Sequence, residues 1–324
     1  MIVSIMRPPY TITENIVKLV AAISHQLGEV QGASLHKPKT ELRKRNRIKS
    51  IQSSLEIEGN TMTEEQITAL LENKRVIAPA KDILEVQNAV ALYGQIREFN
   101  PFKVTDLNKA HAVLMKGLVD KPGKFRSKNV GIVKGSKVEH LAPSGDMVNG
   151  LMNDLFDYLK KDNDLLLIKS CVFHYEFEFI HPYLDGNGRM GRFWQTVVLL
   201  KEYPVFEFLP VESLIKQRQK EYYKALSISD KSGHSTAFIE FMLQVITDAL
   251  ADALKTGNRS VTAQERLEMF RDIIGDRDFS RKEYMVNFRD ISMATASRDL
   301  KKGTDDGLLE RVGDKIKTVY RYIS

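Results

Sequence analysis

Cysteine and long apolar runs are scarce in this sequence. A single cysteine, Cys171, excludes an internal disulfide, and no residues near it suggest a metal cluster or a nucleophile. No run approaches the roughly 18 apolar residues of a membrane-spanning helix. The N-terminal stretch, interrupted by Pro8, Pro9 and Glu14, lacks the apolar segment of a secretion signal. We therefore expect a cytoplasmic protein with no membrane segment.

The composition is typical of a soluble helical protein. The chain has 324 residues, 43% hydrophobic and 28% charged, and is long enough for two or three domains. Glycine and proline are spread thinly, and there is no internal repeat. Stretches free of both residues show helical spacing, as in the leucines four apart at Leu151, Leu155 and Leu159. A mainly α-helical fold is predicted.

Positive charge is concentrated near the N-terminus. The net charge is +6, and residues 36–49, HKPKTELRKRNRIK, carry seven Lys or Arg against one Glu. This run favours a solvated helix face, with nucleic acid or an acidic partner as the alternative.

The stretch 164–180 alternates apolar and polar residues in FHYEFEF, as a half-buried strand would. Its seventeen residues contain neither glycine nor proline, which is too long for a typical strand. We predict a buried helix that ends at His181.

Residues 121–148 differ from the helical stretches around them, because they combine several glycines, two prolines and β-branched residues such as Val130 and Ile132. They predict a short β-hairpin, or flap, inserted among the helices.

The C-terminal part reads as a separate module. KTGNRSVTAQ, near residue 255, is the best linker candidate, and SRKEYMVNF and SMATASRDLKK predict two helices. A hairpin turning at Gly313-Asp314 follows, so a winged-helix domain is expected over 260–324. Residues 261–324 hold 13 Lys or Arg and 12 Asp or Glu, so their charge predicts no strong electrostatic attraction to DNA. DNA binding, dimerisation and target docking stay open as its role.

Unlike chemical groups are concentrated in HPYLDGNGRMGR, residues 181–192. Its glycines fit the dinucleotide-binding pattern G-x-G-x-x-G, but the preceding segment is predicted to be helical and no βαβ unit follows. Glycines at the start of a helix still let backbone N–H groups converge on an anion. The stretch therefore predicts an anion site, and its polar members are His181, Asp185, Asn187, Arg189 and Arg192.

These residue types fit a nucleotide. Arg189 and Arg192 are three apart, so both guanidiniums can leave one helix face and bind phosphate oxygens. Asp185 can supply an oxygen to a Mg²⁺ ion that bridges phosphates. His181 can take a proton from a hydroxyl at neutral pH. Together they predict nucleotide-dependent group transfer to a hydroxyl.

The same stretch resembles the Fic-domain signature H-x-F-x-[D/E]-G-N-G-R-x-x-R, with Tyr183 where phenylalanine is usual. The resemblance extends to GKFR at 123–126, to LMNDLFDYL and to YYKAL at 222–226, and it covers most of 80–250. It implies a mainly α Fic-type helical core with a hairpin flap, followed here by the predicted winged helix. The expected domains are an N-terminal helical region at 1–79, a catalytic domain at 80–254 and the module at 260–324.

The resemblance implies transfer of AMP from ATP to Ser, Thr or Tyr hydroxyls of proteins, including this chain itself. It makes His181 the base and Asp185 the Mg²⁺ ligand. It assigns the phosphates to Gly186, Asn187 and Gly188, and the leaving pyrophosphate to Arg189 and Arg192. The remaining expectations are a target-docking flap and a nucleobase pocket, and the residues they concern are Val130, Ile132, Val133, Tyr222 and Tyr223.

SSLEIEGN, residues 53–60, resembles the inhibitory-helix motif of the same family, [S/T]-x-x-x-E-[G/N], at Ser54, Glu58 and Gly59. The implied helix spans about 44–60, and Glu58 would pair with Arg192 where the γ-phosphate should bind.

Other interpretations stay open at this point. One is a DNA-binding regulator whose Fic fold only senses a nucleotide, and another is a Fic enzyme that uses a different donor or removes AMP. A homodimer is also compatible with the sequence.

Overall fold

The computed structural model describes residues 7–32, 40–134, 137–258, 262–275, 277–288, 291–313 and 318–323. It divides into two compact units, Met1–Gly257 and Asn258–Ser324. Helices dominate both units, so the mainly α prediction is confirmed. In the part of the chain that is described, no helix is long and apolar enough to cross a lipid bilayer.

The first unit is built from eleven described helices and one hairpin. In chain order they are α1 Glu14–Gly32, α2 Thr40–Ile57, α3 Glu64–Leu71, α4 Ala80–Gly94, α5 Val104–Leu114, β1 Gly131–Lys134, β2 Lys137–Leu141, α6 Val148–Lys161, α7 Leu166–Ile180, α8 Asn187–Leu199, α9 Val211–Gln217, α10 Gln219–Ser232 and α11 Thr236–Asn258. Two short 3₁₀ turns, Ile96–Glu98 and Pro204–Phe208, complete the unit.

Helices α7 and α8 form the centre of this unit. Helix α7 confirms the helix predicted from 164–180, and its residues are apolar on nearly every side, with Cys171, Phe173 and Phe177 all fully buried. Such all-round hydrophobicity is typical of a helix enclosed by others. Phe193 and Trp194 of α8 are equally buried. The two segments that flank residues 181–186 are therefore anchored in the core.

The N-terminal helices pack against this centre. Helix α2 buries Ile48, Ile51 and Leu55, which lie three and four residues apart. Of the basic run, Lys44 and Arg45 are exposed, while residues 36–39 lie outside the described part. The same helix thus has solvated basic residues near its start and an anchored C-terminal half.

The hairpin predicted in 121–148 is present as an antiparallel pair of strands. Gly131 pairs with Leu141 and Lys134 with Lys137, and the register shifts between Ile132 and Val133. Residues 135–136 and the side chains of 131–141 lie outside what the structure describes.

The second unit contains the two predicted helices and the hairpin, namely α13 Arg281–Asn287, α14 Met293–Asp305, β3 Leu309–Val312 and β4 Val319–Tyr322. A helix that the sequence analysis missed, α12 Ala263–Ile274, precedes them. Phe270, Tyr284 and Leu300 fill a core of its own. Gly313 has a φ of +88°, whereas Asp314 lies outside the described residues. This order of elements is compatible with a winged helix, and the winged-helix assignment stays a prediction.

Candidate active site

His181 follows α7 in a left-handed conformation that non-glycine residues seldom adopt. Its φ is 51° and its ψ is 59°, and its N–H donates to the Phe177 carbonyl at 3.0 Å, which closes the last helical turn. The residue is half-buried. The backbone therefore turns sharply at the predicted base, and strained residues of this kind cluster at functional sites.

Two residues fix the loop between α7 and α8. Asn187 donates from Nδ2 to the Tyr183 carbonyl and accepts the Tyr183 N–H on Oδ1, both at 2.9 Å. Tyr183 is fully buried, and its hydroxyl donates to Asn108 Oδ1 at 2.6 Å. The Asn187 amide thus holds the loop in place. Asn108 gives a physical reason for tyrosine where phenylalanine is usual.

His111 of α5 supports the same loop from behind. Its ring stacks on Tyr183, with 3.6 Å between centroids. The Gly123 N–H donates to Nδ1 at 2.8 Å, so the proton is on Nε2, which donates to the Asp185 carbonyl at 3.0 Å. Burial lowers the pKa of His111 to about 4, against the opposing effect of the Asp185 hydrogen bond. The imidazole is therefore neutral and uses both ring nitrogens.

Each glycine of the motif lies close to a neighbouring side chain. Gly186 has a φ of +84°, and a β-carbon there would lie 2.7 Å from Met115 Sδ. A β-carbon on Gly191 would lie 2.8 Å from Glu178 Oε1, so this glycine lets α8 approach α7. A β-carbon on Gly188 would overlap Glu58 Oε1. The space beside Gly188, at the start of α8, is thus filled by the Glu58 carboxylate.

Arg189 lies between two carboxylates. Its Nη1 donates to Glu85 Oε1 and its Nη2 to Asp185 Oδ1, each at 3.0 Å, and the side chain is buried. Glu85 in turn accepts from Asn60 at 2.9 Å. Arg189 therefore orients the Asp185 carboxylate, in addition to the phosphate contact predicted for it.

Arg192 holds the C-terminal end of α2. Its Nη2 donates to Glu58 Oε1 at 2.7 Å and to the Ser54 carbonyl at 2.9 Å, and its Nε donates to Ser54 Oγ at 3.1 Å. Gly59, with a φ of +93°, lets the chain leave the helix directly after Glu58. Ser54 and Glu58 of the predicted inhibitory motif are thus brought to Arg192 of α8.

The two tyrosines predicted near a nucleobase pocket differ in environment. Tyr222 is 1% exposed, and its hydroxyl lies 3.1 Å from His174 Nε2 in the core. Burial lowers the pKa of His174 to about 3. Tyr223 is 39% exposed. Of the two, Tyr223 is the residue with surface available to a ligand.

The remaining predicted positions are the flap and the metal ligand. Val130 is half-buried before β1, while the side chains of Ile132 and Val133 lie outside what is described. Asp185 exposes 53% of its side chain. Within the described ranges, no three His, Cys, Asp or Glu residues converge as a ready-made metal cluster.

Sequence reasoning missed Arg126, His111 and Glu85. Arg126 lies in GKFR, which the sequence analysis noted as part of the resemblance without giving it a role, and its Nε donates to the His181 carbonyl at 2.7 Å. His111 and Glu85 lie in ordinary helical stretches with no local motif. They are identified only by the tertiary fold, which brings His111 to Asp185 across 74 positions and Glu85 to Arg189 across 104.

Residues 101–199 match the Fic/DOC family. A crystallised Fic family protein from Desulfovibrio desulfuricans G20 is 40% identical to this chain, with a TM-score of 0.78, and 98% of each chain is covered. This chain belongs to the Fic family. The fold is also shared with Fic-1 from C. elegans, at a TM-score of 0.60 and 18% identity over 74% of this chain and 72% of that one.

Curated Fic relatives carry an activity in their names. Protein adenylyltransferase Fic of Nematostella vectensis is 25% identical over 240 residues, which are 69% of this chain and 53% of that protein. Protein adenylyltransferase fic-1 of Caenorhabditis elegans is 24% identical over 233 residues, 64% of this chain and 44% of that protein. The chain thus spans about half the length of the curated relatives it matches.

Proposed function

We propose that this Fic protein transfers AMP from ATP to Ser, Thr or Tyr hydroxyls of proteins, in a Mg²⁺-dependent reaction restrained by its own Glu58. One observation carries the proposal: an anion, the Glu58 carboxylate, is already held against Gly188 at the start of α8 by Arg192. A helix N-terminus, an adjacent glycine and a guanidinium are the groups that bind phosphate in proteins. The adenylyltransferase names of the curated relatives agree with this choice.

The reaction divides among the residues as follows. His181 accepts the proton of the target hydroxyl, whose oxygen attacks the α-phosphorus of ATP. The bond between the α-phosphorus and the oxygen bridging to the β-phosphate breaks, and pyrophosphate leaves with that oxygen. The backbone N–H groups at Gly188 and the guanidinium of Arg192 stabilise the charge that develops on the phosphates. The products are AMP-modified protein, pyrophosphate and a protonated His181.

Asp185 fits a Mg²⁺ ion that arrives with the nucleotide. The ion favours one or two carboxylates together with phosphate oxygens and water, and it would neutralise phosphate charge. The Asp185 carboxylate is half exposed at the start of α8, and Arg189 fixes its orientation at 3.0 Å. One protein carboxylate that keeps solvent access is what such an ion requires.

Glu58 would act as a removable competitor of the nucleotide. Its carboxylate occupies the space over Gly188 and engages Arg192, two groups that the proposal assigns to phosphate. Since α2 belongs to the same chain, the competition is intramolecular and corresponds to a millimolar or higher local concentration of carboxylate. ATP binding then requires that Glu58 leave Arg192.

The test is intact-mass spectrometry of wild type, Glu58→Gly and His181→Ala after incubation with Mg²⁺ and an equimolar mixture of ATP, GTP, CTP and UTP. We expect an AMP adduct that grows at least tenfold faster in Glu58→Gly than in wild type and is absent in His181→Ala. A UMP, GMP or CMP adduct would overturn the choice of donor, and equal rates in wild type and Glu58→Gly would overturn the inhibition.

We also propose the predictions of the sequence analysis that concern partners, ligand contacts and location. They are target docking along the flap, contact of Tyr223 or Tyr222 with the nucleobase, dimerisation and a cytoplasmic location. The DNA-binding regulator stays the alternative, and a chain that binds ATP but forms no adduct on itself or on lysate proteins would favour it.

A further inference from the structure

Arg126 is a buried cation whose hydrogen bonds end on backbone carbonyls. It is 3% exposed. Its Nε donates to the His181 carbonyl at 2.7 Å, and its Nη2 donates to the Ile180 carbonyl at 3.0 Å and to the Pro143 carbonyl at 2.7 Å. Its Nη1 donates to the Lys128 carbonyl at 2.8 Å. Burying a charge is costly unless it is well hydrogen-bonded. Because the planar guanidinium binds four carbonyls at once, it holds those four backbone positions in one arrangement.

Two of these bonds fix the end of α7. The last carbonyls of a helix have no partner within it and carry the negative end of the helix dipole, so a cation that binds Ile180 and His181 there is favourable. The Arg126 N–H also donates to the Pro182 carbonyl at 2.9 Å. Arg126 therefore binds the backbone on both sides of the left-handed turn at His181.

The other two bonds fix the two ends of the flap. Lys128 precedes β1, and Pro143 follows β2. The two segments that flank the flap, 127–129 and 143–145, are the legs of the flap, and they also contact each other directly. A β-carbon on Gly145 would overlap the Ser127 carbonyl, and the Gly145 N–H donates to Asn129 Oδ1 at 2.9 Å. One guanidinium thus joins the legs of the flap to the backbone of His181.

We propose that Arg126 is a positioning residue that holds the flap and His181 in one fixed relation, so that a target strand bound to the flap presents its hydroxyl to the base. This inference rests on the proposed function for its kinetic part. Arg126 does not contact the nucleotide in this scheme. Its loss should therefore slow transfer while leaving ATP binding intact.

Lysine is the informative substitution at this position. It keeps the positive charge but replaces the planar fork by a single ammonium group, which cannot span four carbonyls in different directions. Arg126→Lys is therefore compared with Arg126→Met, and Arg75→Lys, at an exposed arginine, is the matched control. All three are made in the Glu58→Gly background, where transfer is expected to be fastest.

The kinetic readouts are the growth rate of the AMP adduct at saturating ATP and the affinity for ATP by calorimetry. We expect at least a tenfold lower rate in Arg126→Lys and Arg126→Met, an ATP affinity within twofold of the parent, and no change in Arg75→Lys. A parental rate in Arg126→Lys would overturn the proposal, and so would a rate loss matched by an equal loss of ATP affinity.

Hydrogen exchange supplies a readout that does not depend on activity. Amides of 127–134, 141–145 and 180–183 should exchange faster in Arg126→Lys, with the rest of the chain unchanged. Faster exchange everywhere, together with a lower melting temperature, would make Arg126 a general stabilising residue and overturn the proposal. An inactive Glu58→Gly parent would refute the proposed function instead, while local exchange would still decide whether Arg126 links flap and base.

Discussion

Glu58 and Arg192 lie 134 residues apart in the chain, and their side chains meet at 2.7 Å over Gly188. Arg192 is buried at this contact, whereas 34% of the Glu58 side chain stays exposed. Because Arg192 is buried, leaving its guanidinium without an anionic partner would be costly, but an anionic ligand that enters from the exposed side of Glu58 can replace the carboxylate as that partner. The pair therefore suits a restraint that a ligand can displace.

The first prediction concerns the charge of Glu58 alone. Glu58→Gln keeps the size of the side chain and the helix. The neutral amide binds a buried guanidinium more weakly than the carboxylate does, so it competes less well with phosphate for Arg192. We expect AMP transfer at least fivefold faster than wild type and an ATP affinity raised by a similar factor. Glu56→Gln, two residues earlier on α2, is the matched control, and an equal rise there would show that general loosening of α2 is responsible.

The second prediction concerns the way α2 is docked. Polar residues four apart along one helix face bind the core: Asn46 the Phe208 carbonyl at 2.8 Å, Ser50 Glu212 at 2.9 Å and Ser54 Arg192 at 3.1 Å. Glu58 continues the row. Ser50→Ala leaves buried Glu212 without one of its donors, which costs about 1–3 kcal/mol.

Part of that cost destabilises α2 in its docked position, so Glu58 leaves Arg192 more easily. Ser50→Ala should therefore speed transfer two- to tenfold. It should have no effect when Glu58→Gly is already present, because a helix without the carboxylate restrains nothing. Ser53→Ala, buried to a similar degree on another face of α2, is the control. Additive effects of Ser50→Ala and Glu58→Gly would contradict this account.

The helix before His181, the helix that carries Ser54 and Glu58, and the helix that starts after Gly186 could be predicted from the sequence, because each depends on residues that are close together in the chain. Seventeen residues without glycine or proline identified α7, and the signature identified the start of α8. The hydrogen bonds that Arg189 and Asn187 form within the fold were not predicted. Their partners Glu85 and Tyr183 are set by tertiary packing and by loop geometry, which no local pattern reports.

Helix α12 was missed for a related reason. Residues 263–274, AQERLEMFRDII, follow the predicted linker, and half of them are polar. The helix is fixed by Leu267 and Phe270, which pack into the core of the second unit. Arg266 of the same helix forms a buried pair with Asp299 at 2.6 Å. Such partners lie more than 30 positions away and become visible only in the fold.

The third prediction tests the space over Gly188. Because a β-carbon there would overlap the position of the Glu58 carboxylate, Gly188→Ala fills the volume that the proposal assigns to phosphate. In the Glu58→Gly background we expect ATP affinity to fall at least tenfold. Gly150→Ala is the matched control, since nothing lies within 4 Å of a β-carbon at that helical glycine. Unchanged ATP binding in Gly188→Ala would place the phosphates elsewhere.

The fourth prediction uses pH to test the support beneath the loop. Burial lowers the pKa of His111 from 6.5 in the unfolded chain to about 4. A depressed pKa in the folded state means that the stabilisation is complete above pH 6.5 and is lost as the pH falls toward 4. At pH 5 the unfolded imidazole is protonated and the folded one is not, which costs on the order of 2 kcal/mol relative to pH 7.

His111→Gln removes this titration while its amide can still donate to the Asp185 carbonyl. The free energy of unfolding, from urea titrations at pH 7 and pH 5, should therefore fall by about 2 kcal/mol less in His111→Gln than in wild type. His25→Gln, at an exposed histidine of α1, should follow the wild type. If His111→Gln also follows it, His111 is charged in the folded protein. The hydrogen bond from Gly123 to Nδ1 could not then exist, and the support of the loop at 181–186 would have to be assigned to other residues.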